Sequence, residues 1–119
     1  MLMERIKPLI PTLREKKRYI TFEIISKNHD FGLKDLEHSI KHEFKELYGI
    51  DGQAKAGIIL ISKRYDLAKQ KGIIRINNKY VDKLKLSLAM VKKIKNTDAI
   101  IRTLITSGMI KKAAEKISA

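Results

Sequence analysis

Cysteine is missing from this sequence altogether. Disulfides and thiolate chemistry are thereby excluded, and cytoplasmic residence is the default expectation. Long apolar runs are missing too. None exceeds four residues, Ile58-Ile59-Leu60-Ile61 being one, whereas a membrane-spanning helix needs roughly 20. Glu4, Arg5, Lys7 and Pro8 break any apolar stretch at the N-terminus, so no signal peptide is expected. Proline occurs only at positions 8 and 11. Linkers, low-complexity tracts and internal repeats are absent as well, and a length of 119 residues with 44% apolar content suits one domain, 1–119, with one core.

Acidic residues are scarce. Thirteen Asp and Glu stand against 26 Lys and Arg, for a net charge of +13. So small a chain repels itself unless a polyanion neutralises it. Nucleic acid is the usual partner, because each phosphate neutralised releases counterions. Lysine-rich extremophile proteins and basic ribosome-associated folds share this composition.

What is present is a sequence of clear periodicities. Residues 1–16 carry both prolines with Arg5, Lys7, Arg14 and Lys16, and read as a basic arm. Residues 17–26 alternate, with Ile20, Phe22 and Ile24 on one side and Tyr19, Thr21, Glu23 and Ile25 on the other, which predicts a strand. Over 33–48 the period changes. Leu33, Leu36, Ile40, Phe44 and Leu47 line one helix face, and Gly49 is placed as its stop. Residues 54–62 and 71–77 read as an antiparallel hairpin with a long tip. A helix is predicted over 78–95, capped by Asn77 or Asn78 and stopped by Asn96. Its stripe of Val81, Leu84, Leu88 and Val91 is broadened by Leu86, Met90 and Ile94, more than one sheet can cover. Leu86 and Met90 are therefore expected in a protein–protein contact. Residues 98–106 form a last strand, and Ser107-Gly108 opens a final helix over 108–119. The order matches the ferredoxin-like βαββαβ sandwich: a four-stranded antiparallel sheet over 17–107, with both main helices on one face.

Candidate chemistry is thin. His38 and His42 share a helix face at zinc-ligand spacing, but no third ligand is evident, and a solvated face is the simpler reading. Glu23, Asp66 and Asp98 are too isolated for a metal-dependent nuclease site. Lys71-Gly72 opens like a ribonucleoprotein motif, yet Ile73, Ile74, Ile76 and Asn78 stand where stacking rings belong. No catalytic residue and no cofactor is expected. The candidate RNA contacts are Arg14, Lys16, Lys17 and Arg18 in the densest basic run, and Lys63 and Arg64. To these add Arg75 and Arg102, which interrupt isoleucine runs, and Lys111 and Lys112, one turn into a helix that can receive a phosphate. Arg75 and Arg102 suit a structural ion pair equally well.

The stretch Pro11-Thr12-Leu13-Arg14-Glu15-Lys16-Lys17-Arg18-Tyr19-Ile20 resembles the N-terminal signature of the archaeal ribonuclease P protein component 2 family. Gly72-Ile73-Ile74-Arg75 resembles its next landmark, and Ala99-Ile100-Ile101-Arg102-Thr103-Leu104 with Ser107-Gly108 and Ile110-Lys111 its last. The pattern departs at Ile105 and Thr106, where a glycine is common in the family. The resemblance implies a subunit of the ribonucleoprotein that removes the 5′ leader from precursor tRNA. It implies an active site and magnesium ions in the RNA, a barrel-fold protein partner, and self-association within a heterotetramer. From the residues alone, a ribosomal or ribosome-assembly RNA-binding protein of similar fold is the main alternative. A small-molecule sensor is the other, and its class rarely carries such charge.

Overall fold

The computed structural model describes residues 16–27 and 31–118. Its elements are β1 (Lys17–Ile25), α1 (Leu33–Ala56), β2 (Ile59–Leu60), β3 (Lys71–Asn77), α2 (Val81–Met90), β4 (Lys93–Ile94), β5 (Thr97–Asp98), β6 (Ile100–Ser107) and α3 (Ile110–Ser118). The main sheet has the order β2-β3-β1-β6 and every neighbouring pair is antiparallel. This is the ferredoxin-like arrangement, with β4 and β5 added as a separate hairpin.

Alternation in β1 decides what covers each face. Ile20, Phe22 and Ile24 are buried in one cluster with Leu36, Ile40 and Phe44 of α1 and Leu84 and Leu88 of α2. Burying each such side chain contributes roughly 1.5–3 kcal/mol. The opposite face is not left open. There Thr21 opposes Ile73 and Ile105 in register, and α3 packs across β1, β3 and β6. The Thr21 hydroxyl donates to the Ala113 carbonyl at 2.7 Å, and Thr21, Ile73 and Ala113 are all buried. Leu104 is the extra residue of a bulge in β6 opposite Thr21 and Phe22.

Several boundaries differ from those the periodicity predicts. Gly49 does leave helical geometry, at φ 78° and ψ 174°, but as a kink: the helix resumes and runs to Ala56. Residues 54–56 therefore belong to α1, and the predicted strand 54–62 shrinks to Ile59–Leu60. Ala54, Lys55 and Ala56 are better helix formers than strand formers. Gly57, at φ 66°, supplies the left-handed stop instead. The second predicted helix is also shorter. A 3₁₀ turn (Asn78–Tyr80) precedes α2, which ends at Met90. Neither Asn77 nor Asn78 caps it through a side chain. Asn77 instead donates from Nδ2 to the Lys55 carbonyl at 2.6 Å. Lys95 and Asn96, at φ 51° and 62°, turn the β4–β5 hairpin, so the left-handed Asn96 closes a two-residue turn, not a helix. The last strand begins at Ile100 and the last helix at Ile110, each two residues later than predicted.

Candidate nucleic-acid interface

Charge is unevenly shared among the elements. Within the described residues, α1 carries four lysines against five acids, so it is close to neutral. The rest of the described chain carries nineteen Lys and Arg against five acids. The excess positive charge is therefore confined to the sheet, α3, the connecting turns, α2 and the hairpin. A polyanion is drawn to these surfaces and not to α1.

The start of β1, the ends of β3 and β6 and the start of α3 meet at one end of the sheet. Tyr19 lies between Arg75 of β3 and Ser107 of β6 in register. Nε of Arg75 is buried and has no hydrogen-bond partner. The Arg18 guanidinium lies 3.5 Å from where a Gly108 side chain would begin, and its Nη1 donates to the Lys17 carbonyl at 3.0 Å. No acid pairs with Arg18 in the described residues. Ser107 accepts the Met109 N–H through its hydroxyl at 3.0 Å, ahead of the first turn of α3 that exposes Lys111 and Lys112. Arg18, Lys111 and Lys112 thus gather near the α3 N-terminus, where helix-end N–H groups favour an anion.

The other predicted cations fall into place separately. Lys63 and Arg64 sit exposed on the 3₁₀ turn Ser62–Arg64, lining a groove of about 380 Å³ with Ala114, Ile117 and Ser118 at the far end of α3. Lys69, which sequence reasoning did not single out, donates to the Ile117 and Ser118 carbonyls at 3.2 and 3.3 Å. It satisfies orphan carbonyls at the helix C-terminus. Lys16 is exposed, while Lys17 is half-buried with its ammonium on the Asn77 side-chain carbonyl. Arg102 is held by Glu23, so for this residue the ion pair is the reading the structure shows. Arg14 lies outside the described residues. Leu86 and Met90 remain 50% and 44% exposed on α2, across the sheet from α3.

The ring-free strand β3 has a structural counterpart. Its second face, which in RNA-recognition domains offers stacking rings, is covered at its centre by α3. His38 and His42 stack with centroids 6.1 Å apart on the exposed side of α1, and His42 faces Glu46 at 3.7 Å. Among the described residues, no three His, Cys, Asp or Glu side chains are grouped to hold a metal ion. No helix there is long and apolar enough to cross a membrane.

The model of the Rpp14/Pop5 family matches residues 18–118. The chain belongs to the Rpp14/Pop5 family. Three relatives are each called ribonuclease P protein component 2. That of Thermococcus gammatolerans is 39% identical, covering 98% of this chain and 94% of its own length. That of Pyrococcus furiosus is 41% identical over 95% and 92%, and that of Methanocaldococcus jannaschii 39% over 97% and 82%. A chain of the yeast ribonuclease MRP cryo-EM structure superposes with a TM-score of 0.65 at 16% identity, covering 88% of this chain and 93% of the other. That likeness speaks for the fold. Membership extends over every described element of the Rpp14/Pop5 chain except the first residue of β1.

Proposed function

We propose that this chain is a protein subunit of ribonuclease P that binds the catalytic RNA and assists removal of the 5′ leader from precursor tRNA. The observation that carries this reading is near full-length identity to proteins called ribonuclease P protein component 2, up to 41%. The charge partition supports it. Described residues that carry nineteen Lys and Arg against five acids outside one nearly neutral helix are suited to engage phosphates. Its role is to bind and position RNA, while the RNA and its magnesium ions perform the cleavage. The contacts are Lys16, Lys17 and Arg18 with Arg14 from the arm, Lys111 and Lys112 at the start of α3, Lys63 and Arg64 at its far end, and Arg75 between. Arg102 contributes the donors that Glu23 leaves free. The chain works as one cytoplasmic domain, beside a barrel-fold protein subunit and a second copy of itself in a heterotetramer.

Reconstitution tests this reading. The RNA subunit with the other protein subunits should cleave precursor tRNA faster when this chain is added, and the chain alone should not cleave at all. An unchanged rate on addition, or binding to ribosomal RNA in place of the ribonuclease P RNA, overturns it.

A further inference from the structure

Side chains of α1 and of the turn after α2 enclose a groove of about 330 Å³. His38, His42 and Glu43 form the α1 wall, and Met90, Lys92 and Lys93 the other. Leu86 lies one turn before Met90 on α2 and is likewise exposed, so the two make an apolar lip. The floor is pinned. Val91 and Ile94 are buried in the core, and Lys95 at the hairpin turn faces Asp35 of α1 at 3.8 Å.

We infer that this groove docks an acidic segment of another protein, which seats an apolar side chain against Leu86 and Met90. The inference rests on reading the chain as a ribonucleoprotein subunit. Charge complementarity names the occupant. Residues 78–98 carry six lysines against Asp82 and Asp98. Lys83 lies over the Tyr48 and Tyr80 rings, and Lys95 is paired, but Lys85, Lys92 and Lys93 are exposed and enter no ion pair among the described residues. An apolar centre with a charged rim is the anatomy of a protein interface. RNA fits this surface less well. The described arginines, Arg18, Arg64, Arg75 and Arg102, all lie on other elements, so no guanidinium fork is available here. Exposed Leu86 and Met90 gain nothing from phosphate, whereas an apolar side chain of a protein segment buries against them.

The test places a photo-reactive benzoyl-phenylalanine at position 90, and in a second variant at position 112, within the assembled particle. Illumination at position 90 should give a crosslink to a protein segment with more Asp and Glu than Lys and Arg, identified by mass spectrometry. Adding K92E and K93E should cut its yield on the order of tenfold while thermal stability is kept. A crosslink to RNA, to a second copy of this chain or to a segment without acidic excess overturns the inference. So does the absence of a crosslink, or a yield indifferent to the charge reversal. Position 112 reports separately on the RNA reading. If its RNA crosslink is missing while the acidic product persists at position 90, the RNA assignment fails and the docking groove stands.

Discussion

Gly72 shows how tightly single positions constrain this core. A side-chain carbon there would lie 2.8 Å from Phe22 Cζ and 2.9 Å from Tyr65 Cδ1. Both neighbours are rings, and Phe22 is fully buried. Gly72→Ala should cost about 1–3 kcal/mol by overpacking, read as a lower denaturation midpoint at unchanged slope. A neutral result would show that the Phe22 ring can move aside. Tyr65 is the residue whose ionisation bears on stability. Its hydroxyl donates to the Phe31 carbonyl at 2.7 Å and accepts from Gln70 Nε2 at 3.0 Å. Burial raises its pKa above 10.0, and the Gln70 hydrogen bond opposes that rise only in part. The folded state therefore favours the protonated phenol. That contribution is fully present below pH 10 and is lost as pH rises through the folded pKa. Tyr65→Phe should lose about 1 kcal/mol at neutral pH, because two hydrogen bonds go with the hydroxyl, yet decline less than the parent above pH 10. Parallel stability curves for the two proteins would disprove the assignment. Gly72 was legible as part of a family landmark, but the packing role of Gly72 and Tyr65 was not, because each depends on a neighbour remote in the chain.

At the scale of elements, α3 is the least expected and the most consequential. A final helix was readable in the sequence, but its seat on the second sheet face was not. There it packs on β1, β3 and β6, and Thr21, on the side of β1 opposite Ile20, Phe22 and Ile24, holds Ala113. Thr21→Val keeps the volume and removes the hydroxyl, at a cost of about 0.5–1.5 kcal/mol. Amide exchange in α3 should accelerate more than in α1. Equal protection in both proteins would show that apolar contact alone seats the helix. The kink at Gly49 and the early end of α2 teach a related lesson. Periodicity marked both helices, but Gly49 bends the first without ending it. In the second, Val91 and Ile94 keep apparent helical spacing with Leu84 and Leu88 although they belong to the turn and hairpin beyond it. Apolar spacing reports burial, and two different backbones can bury the same residues.

For the whole molecule, the decisive quantity is where the charge sits. RNA binding should be strongly salt-dependent and weakly sequence-specific, with a log–log slope on the order of −3 to −6. Replacing Arg14, Lys16 and Lys17 by alanine should reduce stimulation of the RNA and flatten that slope by about one unit for each phosphate no longer neutralised. Lys17 carries a structural share as well, because its ammonium rests on Asn77, so the triple variant should also melt somewhat lower. An unaltered slope and activity would move the RNA-binding surface to Lys63, Arg64, Arg75, Lys111 and Lys112. The sequence by itself determined the strand and helix order, the alternation that buries Ile20, Phe22 and Ile24, the excess of positive charge and the family landmarks. These depend on local period and composition, which a chain carries wherever it folds. Only the tertiary structure decided that Arg102 is bound to Glu23, that Arg18 meets the start of α3, and that Leu86 and Met90 border a groove. Each of these depends on which remote segments the sheet brings together, and pairing across the fold leaves no periodic trace in the chain.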